Sequence, residues 1–352
     1  MKHATTRLLS LLSLSLGLAC LPMVGHTKDE PTPLTVDASF NPADAASKGF
    51  TVADTTALKG IKRVAVPVFA VEFITADNVS AQTSGFASAG RATSSLYYKL
   101  LGVGEPDFQA ITDSLYQRFL EELRSSGWEV LEVPQIVAAP TYSKLVASGS
   151  PAPIKSDTTM MMSPPGLGIY GFATMDRGNS NKSKSLFGAL SNVGSGFAAV
   201  GAVMDTVTLA TELDATLIEV RMRVNFVQLA NNNKGFLGRL SGTASTTGKA
   251  FPSVENVMMG VQTGQMRSTL TMKNTLTLDS TAFSEVREKA ATKGDIAGAV
   301  AVGLLRMAIG SNDSSSSSEM EVIADPANYR KVIENGLMSA GSMLIARIKQ
   351  ER

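Results

Sequence analysis

The sequence predicts a mixed α/β (α+β) domain, a mixed sheet that opens as β-α-β and continues as an antiparallel meander under a closing C-terminal helix. Three observations carry this. The run Ile61 to Phe73, IKRVAVPVFAVEF, is almost continuously apolar and valine-rich, as a strand covered on both faces would be. From Phe108 to Ser125 apolar residues recur at three and four, the period of an amphipathic helix. From Leu217 to Leu229, and again from Gln265 to Asp279, apolar and polar residues alternate.

Residues 1 to 27 have the shape of a bacterial export signal. Lys2 and Arg7 precede the apolar stretch Leu8 to Leu18, which is too short to span a bilayer. Two endings fit. Cys20 is a candidate lipidation site, because Leu16-Gly17-Leu18-Ala19-Cys20 resembles a lipobox with Gly17 in place of the usual leucine. Ordinary cleavage near Gly25 to Thr27 would discard Cys20 instead. Either way the expected destination is the periplasm or the periphery of the outer membrane, with membrane attachment only if Cys20 carries lipid.

Residues 28 to 60 carry no period and read as an extended arm. The main domain then spans 61 to 310. Within the first strand Pro67 is the discordant residue, since proline lacks a ladder donor and favours edges and bulges. Residues 77 to 95, rich in Ser, Ala, Gly and Thr, read as a long loop. In the helix that follows, Asp107 is the expected N-cap and Gly127 the C′ residue. Trp128 to Val133 reads as a strand. A proline-rich insertion, 134 to 185, holds Pro134, Pro140, Pro151, Pro153, Pro164 and Pro165 with the run Met160 to Met162.

Leu186 to Met204 and Ile296 to Ile309 are apolar and rich in small residues, and read as buried or interfacial helices. Gly194, Gly196 and Gly201 are therefore candidate oligomer contacts. Asn231 to Gly235 reads as a turn, Leu240 to Phe251 as a weak strand, and 311 to 324 as a serine-rich linker. Asp325-Pro326 begins the last helix, 325 to 352, which should bury Tyr329, Val332, Ile333, Leu337, Leu344 and Ile348.

Composition narrows the chemistry. Of 352 residues, 44% are hydrophobic, enough for a sizeable core. The net charge of +1 gives no field for nucleic acid, and Trp128 is the only tryptophan. The only cysteine is Cys20 and the only histidines are His3 and His26. The body of the chain therefore excludes disulfides, Cys/His zinc sites and Ser-His-Asp or Cys-His nucleophiles. No cofactor is expected. Gly166-Leu-Gly168-Ile-Tyr-Gly171 matches GxGxxG but follows Pro164-Pro165 rather than a strand, so phosphate binding lacks its context. Glu72 and Asp77, ending the first strand, and Arg221 and Arg223, sharing a strand face with Glu219, are the candidate binding residues. Such a face is ordinarily a solvated row of ion pairs.

Strand KRVAVPVF (Lys62 to Phe69), helix ITDSLYQRFLEELRSSG (Ile111 to Gly127), strand WEVLEV and the step TLATELDATLIEVRMRVNF (Thr208 to Phe226) together resemble the curlin secretion channel family, a curli assembly/transport component. They are also similar to the N-terminal domain of the Tol-Pal β-propeller protein. The resemblance implies a periplasmic α/β domain, often lipidated and ring-forming, that handles exported polypeptides. It favours a non-enzymatic envelope protein acting in assembly, secretion or scaffolding, as a homo-oligomer with envelope or exported partners. A periplasmic module binding a small ligand or peptide is the second reading, and a carboxylate-dependent hydrolase the third.

Because the body has neither cysteine nor histidine, the melting temperature of the mature protein should not respond to a chelator or a reductant. A large drop with chelator would reveal an all-oxygen metal site built from Asp and Glu.

Overall fold

The computed structural model describes residues 32–82, 93–170, 197–231, 244–289, 304–309 and 315–351. Among these, an eleven-stranded mixed sheet and a four-stranded sheet are accompanied by six helices. The α/β class expected from the sequence is thus the observed one.

The main sheet is organised on β3 (Arg63–Ile74). It pairs in parallel with β9 (Thr216–Asn231) and with the two-residue β6 (Glu129–Val130), and antiparallel with β8 (Thr159–Met162). β7 (Ile154–Lys155) extends that side. On the other side β9 pairs antiparallel with β10 (Ala244–Thr263), which in turn holds β11 (Met266–Met272), β12 (Leu276–Thr277) and β14 (Leu304–Ile309). β1 (Leu34–Thr35) joins β12, and β2 (Phe50–Ala53) joins β11. The second sheet runs β13 (Phe283–Glu288), β15 (Ser315–Ala324), β5 (Thr93–Leu101), β4 (Ala76–Gln82), with β5 and β15 parallel.

From Val64 to Ile74 every residue of β3 is buried, as the unbroken apolar run requires. Pro67 is accommodated by a register shift against β9 between Ala65 and Val68, so its missing N–H leaves no gap in a regular ladder. β3 leads through α2 (Glu105–Ser125) to β6, which is the expected β-α-β opening. Gly127 takes the left-handed C′ conformation, φ +86°. The N-cap, however, is Gly104 and not Asp107. Asp107 sits at N3, where its carboxylate accepts a hydrogen bond from Gly104 N at 2.9 Å, and Pro106 fits the first turn because no intrahelical donor is needed there.

The buried face of α2 packs on β3. Phe73 stacks on Phe108 at 4.4 Å, and Phe69 meets Tyr116 at 5.3 Å and Phe119 at 5.5 Å. α6 (Pro326–Gln350) lies beside α2, capped by Asp325, whose carboxylate accepts from Asn328 N at 2.9 Å. Gly341 lets α6 close on this layer, since a Cβ there would already stand 3.3 Å from Phe119.

Several expectations are corrected. The arm at 28 to 60 contains α1 (Pro42–Gly49), which packs on α6, and strands β1 and β2 of the main sheet. α1 buries only Ala46 and Gly49, too little apolar surface to leave a period in the sequence. Of the loop expected at 77 to 95, residues 77–82 belong to strand β4 and 93–95 to strand β5, and 83–92 lie outside the described residues. The strand expected at Trp128 to Val133 is only β6, because α3 (Val133–Val137) starts at Val133, with Pro134 in its first turn. The proline-rich insertion holds α3, α4 (Pro140–Ala147), β7 and β8, with Pro134 and Pro140 standing at helix starts. Leu304–Ile309 is a strand and not a helix, because its backbone is claimed by β10. The serine-rich linker is β15 from Ser315 onward, paired with β5. In both cases strand pairing overrides weak local propensity.

Phe119, 1% exposed, should cost about 3–5 kcal/mol when replaced by alanine, read from urea denaturation. A loss below about 1 kcal/mol would mean that the helix face is not packed as described.

Candidate functional site

In a strand alternate side chains leave on opposite faces. Ile218, Val220, Met222, Val224 and Phe226 of β9 are buried in the same core as the α2 face. The opposite face of β9 carries Glu219, Arg221, Arg223 and Asn225. Register fixes their neighbours. Val68 and Gly260 flank Glu219, Ala70 and Met258 flank Arg221, and Glu72 and Glu255 flank Arg223.

The expectation of a solvated charge face is overturned here. Glu72 is fully buried, Glu219 and Arg221 are each 2% exposed, and Arg223 is 9% exposed. Two layers cover them. At one end lie Met161 and Ile169, packed with Ala70. At the other end the second sheet lies across β9 and β10. Tyr98 of β5 sits where a Cβ on Gly248 would come within 2.5 Å of its ring, and the hydroxyls of Ser94 and Thr246 are 3.0 Å apart.

Burying charge is costly unless it is paired. Arg223 Nε donates to Glu72 Oε2 at 2.8 Å, and its Nη1 lies 3.7 Å from Glu255 Oε1. Asn225 Nδ2 donates to Glu255 Oε1 at 3.5 Å, while Asn225 Oδ1 accepts from the backbone of Phe226 and Val227. Glu219 pairs with Arg267 of β11 at 2.7 Å. Burial above all pushes the Glu255 carboxyl upward from its ordinary pKa. Arg223 and Asn225 oppose this, and the nearby carboxylates of Asp77 and Glu72 add to it. Tyr170 is held well above the usual tyrosine pKa, first by burial and then by the charge of Glu219.

The four candidate binding residues are therefore brought to one region of the fold. Glu72 and Arg223 touch, Asp77 lies near Glu255 across the two sheets, and Arg221 shares the face two residues from Arg223. Glu255 escapes the sequence reading because it sits in the apolar run VENVMMGV with no period, between two register shifts in β10. Arg267 appears there only as one polar member of an alternation. Cys20, Gly194 and Gly196 lie outside the described residues. Gly201 lies in α5 (Phe197–Glu212). Residues 296 to 303 and most of the turn expected after Asn231 also fall outside.

Gly166 and Gly168 have structural duties. Gly166 turns the chain with φ +85°, and a Cβ on Gly168 would reach within 2.6 Å of Val146 in α4. A separate open groove of about 460 Å³ lies between α1, α2 and α6, lined among others by Asn41, Glu122, Ser342 and Lys349. Among the described residues no helix is long and apolar enough to cross a membrane. No protein-family model matches this chain, and neither a curated protein nor a solved structure matches it.

Replacing Glu72 by alanine leaves Arg223 with a buried, weakly compensated charge and should cost about 3–5 kcal/mol. Breaking the exposed Arg124–Glu132 pair by Arg124→Ala should cost less than about 1 kcal/mol. Chemical denaturation of the two variants checks the contrast, and equal losses would refute the structural role of the buried pair.

Proposed function

We propose that this chain is a non-enzymatic exported envelope protein of curli-secretion-channel-like fold, acting in assembly, secretion or surface scaffolding as a homo-oligomer. The observation that supports the reading is the length of β9 and β10, 16 and 20 residues, against a usual strand of about 5–6. Strands of that length reach about 50–70 Å, well beyond what a small core needs. Their far ends, β9 after Asn225 and β10 before Ser253, pair with each other and β10 adds β14, while β5 lies across β10 and β14. Among the described residues the result is an extension built of two layers of strands.

β13 and β14 end their sheets, with no strand on their outer edges among the described residues. An exposed edge is a template for pairing with another chain. β13 carries Glu285, Arg287 and Glu288, charges that discourage indiscriminate pairing and select a complementary edge. A long extension bounded by such edges suits a subunit that joins copies of itself or holds an extended polypeptide.

Analytical ultracentrifugation of residues 28–352 at micromolar concentration tests the proposal. An oligomer of defined stoichiometry is the expected result. A monomer at every concentration would overturn the homo-oligomer reading and favour the ligand-binding module.

A further inference from the structure

The contact between the two sheets has an unusual charge arrangement. Arg223 stands between Glu72 at 2.8 Å and Glu255 at 3.7 Å, and Asp77 enters from β4 of the second sheet. Arg221 is the other cation on this face of β9. From β5 the titratable group is Tyr98, paired in register with Asp77. Burial pushes its hydroxyl up to about 12, so it stays neutral over the physiological range. Asn225 supplies the only amide with a hydrogen bond to Glu255 among those described, at 3.5 Å. Glu72, Glu255 and Asp77 thus gather about Arg223, with Glu72 fully buried and the Glu255 side chain 27% exposed.

The backbone beneath Glu255 is not a regular ladder. β10 is shifted against β9 between Ala250 and Ser253 and again between Glu255 and Met258, and Asn256 takes φ +50°. Bulges of this kind bend a strand and loosen its local pairing. Glu255 therefore sits at a joint, where a change in its charge can move the strand that carries it.

We propose that the Arg223 cluster is an acid-operated clamp between the sheets: proton uptake by Glu255 tightens the seat of the β4–β5 hairpin on the main sheet, and proton loss loosens it. Neutral Glu255 is relieved first of the cost of burying its charge and then of repulsion by Asp77 and Glu72; it gives up the attraction of Arg223 at 3.7 Å, and Arg223 keeps its closer partner Glu72. The sign follows from linkage. With the hairpin seated, Glu255 holds its proton to higher pH than when the hairpin lifts and water reaches the carboxyl, so the seated form binds more protons within that window. The stabilisation is present at the acid end and is lost as pH rises through the raised value. This inference is independent of the oligomeric reading above.

Hydrogen exchange of the full mature chain, corrected for intrinsic rates and measured at about pH 5 and about pH 7.5, tests the clamp. In the wild type, protection over residues 76–82 and 93–101 should fall with rising pH, by up to about tenfold for each unit of raised pKa, while α2 holds its protection. Glu255→Gln should keep the acid-side protection at both values, and Asp77→Asn should show a smaller fall than the wild type. The proposal is overturned if Glu255→Gln shows the wild-type pH dependence, or if α2 loses protection in parallel with the hairpin. Should Glu255→Gln not fold, an undiminished fall in Asp77→Asn overturns it alone.

Discussion

The parallel pairing of β3 with β9 sets Glu72 against Arg223, and the rest of the fold depends on that register. β3 is dry along both faces, so a carboxylate in it is tolerable only opposite a cation. A slip of one residue would exchange the faces. Glu72 would then point at the aromatic layer of Phe108 and Phe119, while Phe69 and Phe73 would leave it. Each displaced aromatic forfeits about 1.5–3 kcal/mol of burial, and an unpaired buried charge costs several more. The ion pair and the aromatic layer thus enforce one register from opposite sides of the same strand.

The same register explains why the fold has three layers. One face of the main sheet is apolar and takes the helices α2 and α6. The other is polar along β9 and needs a cover that can meet charge. The second sheet and the segment around Met161 to Tyr170 supply that cover, bringing Asp77 and Tyr98 on one side and Met161, Ile169 and Tyr170 on the other. The outer face of the second sheet carries charges of a different kind. Arg287 meets Glu321 at 2.9 Å and Lys289 meets Glu319 at 2.7 Å, but Arg287, Lys289 and Glu319 are exposed. Such pairs contribute little to stability, typically under about 1 kcal/mol, and serve the sheet mainly by keeping its edge polar.

What the sequence made legible follows from how much surface each element buries. α2, β9 and α6 bury many large side chains at a fixed period and β3 buries an unbroken apolar run, and both patterns are visible in one dimension. α1 buries Ala46 and Gly49, and β15 begins with four serines, so neither carries an apolar period at its start. They exist because a partner claims them, α6 for the helix and β5 for the strand. The candidate site divides in the same way. Glu72, Asp77, Arg221 and Arg223 stand out by type, since each interrupts or adjoins an apolar run. Whether they face water is a property of the second sheet, whose strands β4 and β5 read as a loop. The charge row was therefore expected to be wet, and the correction belongs to the covering layer rather than to β9 itself.

Glu255 completes the argument because its position is set by neither sheet alone. Between the two register shifts β10 passes from the stretch that pairs with β11 and β12 to the stretch that pairs with β14 and lies under β5. A strand serving two surroundings must bend between them, and bulges are where strands bend. A charged side chain at that bend is close to both layers, held by Arg223 and Asn225 of the main sheet and near Asp77 of the second. Its partners come from β3, β4 and β9, so its charge bears on all of them together. The electrostatics that fix the central register at Glu72 and Arg223 therefore continue, one strand further on, into the joint between the helix-backed sheet and its far extension.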